Sequence, residues 1–315
     1  MASHHSHLWP GVPLALGSAV LFGASTPLSK WLVGAIDPWL LAGLLYLGAG
    51  VGLAIVQWVR PMIALPPVEA PLQKSDLPWL GAVIVFGGLL GPLLLMLGLS
   101  LTSAASGSLL LNLEGLATMA IAWLVFRENV DRRLLLGAGA ILFGAVLLSW
   151  KGQGLQLDTG GILIAAACLA WGIDNNLTRK LSSADPMQIA MLKGLTAGCV
   201  NITLALLFGA SLPHMALVGT AAIVGFFGVG ISLVMFVLGL RHLGAARTGA
   251  YFSLAPFIGA LLAIQLFHDA VTVPLILAGL SMAFGLWLHL VEQHDHQHSH
   301  EAMEHEHSHV HDAHH

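Results

Sequence analysis

Charge is scarce in this chain. Asp, Glu, Lys and Arg make up 9% of its 315 residues, against about 25% in a soluble globular domain. Hydrophobic residues reach 57% and mean hydropathy is +0.83. A water-soluble fold has no interior large enough for that much apolar surface, so the solvent is lipid. Cysteine is nearly absent. Cys168 and Cys199 each sit in an apolar run, which excludes a disulfide framework and suits small packing residues. The opening M-A-S-H-H-S-H lacks the Lys/Arg stretch of a signal peptide, so the first apolar run is expected to be kept as a span. No G-x-x-x-x-G-K-[ST] loop occurs, which excludes ATP hydrolysis by that route, and the chain reads as a non-enzyme. His305-Glu306-His307-Ser308-His309 fits H-E-x-x-H formally. The zinc protease motif needs a helix packed in a core, which this polar segment does not supply. The glycosylation patterns at Asn176 and Asn201 fall inside apolar runs and fail similarly.

What is present is a duplication. F-G-A-S-T-P-L-S-K-W-L from Phe22 returns from Trp171 as W-G-I-D-N-N-L-T-R-K-L, an offset of 149 residues. Asp37-Pro38 falls on Asp185-Pro186 at offset 148, and Leu97-Gly98-Leu99 on Leu238-Gly239-Leu240 at offset 141. The last offset also pairs Phe126 with Phe267 and Glu128 with Asp269. Ten segments hold the roughly 20 apolar residues a span needs: 12–31, 38–59, 78–99, 104–126, 134–150, 160–180, 186–209, 215–239, 245–267 and 271–291. Five spans per half is an odd number, so the second half enters the bilayer from the opposite side. The fold class is therefore an all-α membrane protein of ten transmembrane helices arranged as two inverted five-helix repeats, an architecture found in secondary transporters. The chain divides into a short N-terminus (1–11), a first repeat (12–150), a second repeat (160–291) and a His-rich tail (292–315).

Lys/Arg bias sets the expected orientation. The side holding both termini receives Arg60, Lys74, Arg127, Arg132, Arg133, Arg179, Lys180, Arg241 and Arg247, and the opposite side only Lys30 and Lys151. This puts both termini in the cytoplasm of a cell (inner) membrane protein. Small-xxx-small spacings such as Gly48/Gly52, Gly87/Gly91 and Ala140/Gly144 suit close helix packing, and a few of these glycines suit flexing points.

The duplicated residues resemble the EamA-type carriers of the drug/metabolite transporter superfamily. F-G-A-S-T-P-L-S-K is similar to the family's W-G-x-x-x-x-x-x-K pattern, with Phe22 in place of tryptophan; Trp171-Gly172 restores the tryptophan, with Arg179 at the lysine position. The fourth span and its exit, L-L-L-N-L-E-G-L-A-T-M-A-I-A-W-L-V-F-R-E-N-V-D-R-R, and its weaker repeat S-L-A-P-F-I-G-A-L-L-A-I-Q-L-F-H-D complete the likeness. Gly115 stands where the family commonly has proline, and Pro256 keeps it in the second half. The resemblance implies a carrier, and export coupled to protons or to a counter-solute, but names no substrate.

A charge at mid-bilayer costs about 2.5–3.5 kcal/mol on insertion scales. Glu114, Asp174 and Lys193 fall well inside spans, with Glu114 placed in the middle of span four. They are expected to line a central cavity, a carboxylate holding a cation or coupling proton and Lys193 pairing with one of them or drawing an anion. The alternative is a buried pair that fixes helix packing. Asp174 aligns with Ser25, Lys193 with Leu45 and Glu114 with Ala255, so none is duplicated. Asn112, Asn175, Asn176, Trp171, Tyr46 and Tyr251 are secondary candidates for substrate contact. Lys30, Arg179, Glu128 and Asp269 are gate candidates, although an acid starting a helix and complementing the dipole of the next span explains the last two more simply.

From His294 the chain carries ten His and five acids with no Lys or Arg. This composition predicts no packed structure. His294, His296, His298, His300, His305, His307, His309 and His311 alternate in a way that suits Zn²⁺, Ni²⁺, Co²⁺ or Cu²⁺. No cofactor is required for the expected transport. The expected partners are the lipid bilayer and a small-molecule solute, with protons or a counter-solute for coupling; a homodimer is compatible, and nothing points to nucleic acid. Against the leading reading of an organic-solute exporter stand a divalent-metal exporter using the tail and a non-transporting membrane sensor.

Overall fold

The computed structural model describes residues 10–59, 70–127, 132–150, 158–181, 184–243 and 245–291. Glu128 and the histidine tail lie outside these residues, as does the side chain of Arg179. Among the described residues ten helices are long and apolar enough to cross a membrane: Gly11–Val33, Pro38–Val59, Lys74–Leu101, Ala104–Phe126, Arg132–Ser149, Thr159–Thr178, Pro186–Leu207, Met215–Gly239, Arg247–Phe267 and Val273–Leu290. They are numbered here as spans one to ten. Each begins and ends within a few residues of the boundary read from hydropathy, and the described residues contain no β-strand. With ten crossings, the first and last described residues, Pro10 and Val291, lie on one face, called the terminal face; the other is called distal.

The duplication is visible in the helix starts. Asp37 Oδ1 accepts the backbone N–H groups of Trp39 and Leu40 at 2.9 and 3.0 Å, and its repeat-mate Asp185 accepts that of Met187 at 2.9 Å. Each Asp precedes a proline at the first helical position, where a missing N–H costs nothing. Helix ends repeat too. Arg127 and its mate His268 both close a span in the left-handed region, at φ 55° and 53°, a C-cap more often built with glycine.

Lipid gives helices no hydrophobic reason to associate, so packing rests on close backbone approach. Spans two and seven cross at Gly50 and Gly194, where a Cβ on Gly194 would lie 2.8 Å from the Gly50 Cα. Spans five and ten meet at Gly137 and Gly285, and Ser281 Oγ donates to the Ala140 carbonyl at 2.8 Å. Large apolar side chains face outward where lipid would lie, Trp31, Trp58 and Trp150 among them, all near span ends as interfacial tryptophans are.

Two departures from regular helix organise the interior. Span three widens to a π-helix over Ile84–Leu90 and span eight over Phe226–Ile231. In each, a backbone N–H reaches five residues back, Gly91 to the Phe86 carbonyl and Ser232 to Phe227. The two donors are 141 residues apart, so the distortion belongs to the repeat. Spans four and nine each break once, between Ala104–Leu110 and Leu113–Phe126 and between Ala245–Phe252 and Ala255–Phe267. This corrects the placement of Glu114 in the middle of an unbroken span: it stands in the first turn after the break. Apolar residues that include Leu32, Leu40, Leu41, Leu99 and Leu109 form the main core, on the distal side of these features.

Candidate functional site

The π turn in span three creates the acceptors around which the site is built. Because Gly91 N–H bonds to Phe86, the Gly87 carbonyl loses its helical donor. Pro92 has no N–H, so the Gly88 carbonyl loses one as well. A bare carbonyl at this depth costs free energy until a donor reaches it. Tyr46 Oη donates to Gly87 O at 2.8 Å and Trp171 Nε1 at 3.1 Å. Asn201 Nδ2 donates to Gly88 O at 3.2 Å, while its Oδ1 accepts from Trp39 Nε1 at 3.0 Å. Spans two, six and seven are thereby tied to span three at one level.

Against Gly87 lies the ion pair. Lys193 Nζ donates to Asp174 Oδ2, joining span seven to span six, with 16% and 7% of the two side chains exposed. Thr178 Oγ1 is 3.4 Å from Asp174 Oδ1. A Cβ on Gly87 would run into both charged groups, so this glycine leaves the room the pair occupies. Glu114 is separate from the pair. Its Oε1 accepts from Asn175 Nδ2 at 3.0 Å, and the same amide nitrogen is 3.1 Å from Thr118 Oγ1. Asn176 donates to Gly172 O at 2.8 Å and Thr118 O at 3.0 Å, stitching span six to span four.

The ion pair, Glu114 and most of their polar neighbours border one cavity of about 1190 Å³, larger than the usual 300–1,000 Å³ ligand cleft. Tyr46, Glu114, Trp171, Asp174, Asn175, Asn176 and Lys193 line it. Its lining continues to Leu134, Pro186 and His289, at the terminal-face ends of spans five, seven and ten, and to Leu181 and Ala184 between spans six and seven. The cavity is thus reached from the terminal face, and the apolar core seals it from the distal one.

Two secondary candidates lie elsewhere. Asn112 is buried at the break in span four, where Nδ2 donates to Leu109 O at 2.8 Å and approaches Met282 Sδ at 3.8 Å; it holds the break against span ten. Tyr251 does not line the cavity, whereas its neighbours Ala250 and Phe252 do. The gate candidates that can be seen sit in the distal seal. Lys30 Nζ donates to the Leu99 carbonyl, and Asp269 Oδ2 accepts the Ala105 N–H at 3.0 Å. Asp269 therefore does serve a helix start, but that of span four and not of the span that follows it. Among the described residues no group of three or more His, Cys, Asp or Glu side chains is placed to hold a metal ion.

Sequence reading missed the two π turns. The repeated Gly-rich runs V-F-G-G-L-L-G-P and F-F-G-V-G-I-S were the signal; the first was read for close packing or flexing and the second not at all.

Comparison with known proteins accords with this architecture. The profile of the EamA-like transporter family matches residues 9–150 and again 158–291. An uncharacterized transporter of Methanothermobacter thermautotrophicus is 26% identical over 296 residues, 89% of this chain and 86% of its own. The uncharacterized transporter YyaM of Bacillus subtilis is 23% identical over 258 residues, 78% of this chain and 82% of its own. One solved crystal structure superposes with a TM-score of 0.66 over 92% of this chain and 98% of that one; at 18% identity the likeness concerns the fold alone.

Proposed function

The chain belongs to the EamA-like transporter family, and from that premise we propose that it is a secondary carrier exporting a small organic solute. It works by alternating access between two inverted five-span halves in the cell membrane, with both termini cytoplasmic. Solute enters the cavity from the terminal face, where Lys/Arg bias places the cytoplasm. The coupling partner is a proton or a counter-solute.

The observation that carries this reading is the cavity itself. It is open at one face and sealed at the other, and it holds an ion pair and a carboxylate at the level where broken and π-widened helices meet. Irregular backbone at membrane depth is tolerated where it lines such a cavity. The π turns at equivalent places in spans three and eight are suited to the bending that alternating access requires, since π-bulges recur at functional sites.

The test begins with a melting-temperature screen of small organic solutes on the purified full chain, because a ligand of the folded state raises its melting temperature. Solutes that do so are then assayed for flux in proteoliposomes. Asp174→Asn is expected to reduce that flux by about tenfold or more, as loss of a functional intramembrane charge should. Undiminished flux in the variant would sink the assignment of this cavity to transport.

A further inference from the structure

The charges lining the cavity do not cancel. Among the described residues they are two carboxylates, Asp174 and Glu114, and one lysine, Lys193, with His289 at the mouth bonded to the Leu134 carbonyl at 3.1 Å. Lys193 is committed to Asp174. Glu114 is left with a neutral partner, the Asn175 amide. It stands in the first turn of Leu113–Phe126. The cavity therefore offers whatever enters it one carboxyl group that has no cationic partner among the described residues.

The remainder of the wall is mainly apolar. Met96, Met119, Trp123 and Trp171 contribute to it, and methionine and aromatic side chains adapt to apolar bodies of varied shape. Asn175 adds a directional element. Its Nδ2 is occupied by Glu114 and Thr118, and its Oδ1 takes no hydrogen bond from the described residues, so it is free to accept one. A carboxylate and an amide oxygen side by side match a group with more than one N–H to give. An anion would meet the opposite situation: two carboxyl groups nearby, and the only lysine among the described lining residues already paired.

We propose that the cavity binds a small monovalent organic cation, a primary or secondary ammonium on an apolar body, with Glu114 as its counter-charge and Asn175 as a second acceptor. This rests on the carrier reading above for its place in transport, but the site itself stands on the charge balance of the cavity.

The test uses the full chain purified in detergent and three probes of similar size: 2-phenylethylammonium, 2-phenylethanol and 3-phenylpropionate. Titration calorimetry is expected to show the ammonium bound at least about tenfold more tightly than the alcohol, and the carboxylate most weakly. Glu114→Gln should bring the ammonium down to the affinity of the alcohol while leaving alcohol binding intact, which also shows that the cavity persists. Glu114→Asp, tested alongside in case the glutamine variant does not fold, should retain part of the preference. Equal binding of the three probes by the wild type, preference for the carboxylate, no binding of the ammonium, or a preference that survives in Glu114→Gln each overturns the proposal. Flux in proteoliposomes separates this from the carrier reading. Glu114-dependent binding of the ammonium without flux would overturn the carrier and leave the site. Flux of the ammonium that is indifferent to Glu114→Gln would overturn the site and leave the carrier.

Discussion

The two π turns are the same backbone event in different company. In span three, Gly87 faces Asp174 and Lys193, and its carbonyl takes donors from Tyr46 and Trp171. In span eight the equivalent Gly228 faces Ser25, whose hydroxyl turns back to its own helix, donating to Phe22 O at 2.6 Å. Ser25 stands where the other half has Asp174, Leu45 where it has Lys193, and Phe22 where it has Trp171. Phe22 has no N–H to give and lies 5.3 Å from Phe252, ring to ring. One widened turn is thus surrounded by charge and hydrogen bonds, the other by a hydroxyl and aromatic rings. Duplication supplied a scaffold with two bends; divergence placed an ion pair at only one. In the carrier proposed above, the shared geometry would serve the motion and the unshared chemistry the solute.

The sharpest way to break this comparison is to remove the charge from one half and disturb its mate in the other. Lys193→Met leaves Asp174, 5% exposed, without its cation, and breaking a buried pair from one side costs about 3–5 kcal/mol. A large fall in melting temperature is expected. The double variant Asp174→Asn with Lys193→Met should regain most of it, because neither charge is then stranded. Leu45→Met, the matching change in the first half, keeps volume and polarity and should cost less than about 1.5 kcal/mol. Equal losses for Lys193→Met and Leu45→Met would mean the pair is no more than packing.

A methyl group at each bend sharpens the comparison further. In Gly87→Ala the new Cβ meets the Asp174 carboxylate and Lys193 Nζ, ends of side chains that can move at the expense of their contact. In Gly228→Ala it meets the Ser25 Cβ, which moves only with its helix. Overpacking of this kind costs about 1–3 kcal/mol. The expectation is a split readout: Gly228→Ala lowers the melting temperature more, and Gly87→Ala lowers flux more. The reverse ranking would remove the distinction drawn between the two sites.

The scaffold was readable from the sequence because its determinants are local. Apolar length marks the spans, Asp-Pro marks two helix starts, and the odd number of spans per half follows by counting. The site was readable in part. Asp174, Lys193 and Glu114 stand out because charge in a span needs a reason, and they do line one cavity. Which carboxylate takes the lysine depended on how span six faces span seven, which no local pattern records. The break before Glu114 was invisible because Leu111-Asn112-Leu113 contains no strong helix breaker, whereas Pro256 marks the equivalent break in span nine. The π turns escaped for a related reason. The carbonyls freed in span three are satisfied by Tyr46, Trp171 and Asn201, all distant in sequence. Tyr251 was misplaced because an aromatic residue beside a helix break has no readable facing.

Tyr46 gives the smallest expected effect and the finest test of the contrast. Its hydroxyl is one of two donors to Gly87 O, at 2.8 Å, and Trp171 Nε1 is the other, at 3.1 Å. Tyr46→Phe removes the first and leaves the second, so the carbonyl keeps a partner. Hydrogen bonds between membrane helices average about 0.6 kcal/mol, and the loss should be of that order, a change in melting temperature near the limit of detection. Trp171→Phe alone should cost more, because it also removes ring volume next to Gly91. If the two donors substitute for each other, the double variant loses more than the sum of the singles. That excess is the energetic signature of a carbonyl that must be satisfied, and it should be absent when the same analysis is made at Phe22, where the first half has no donor to lose.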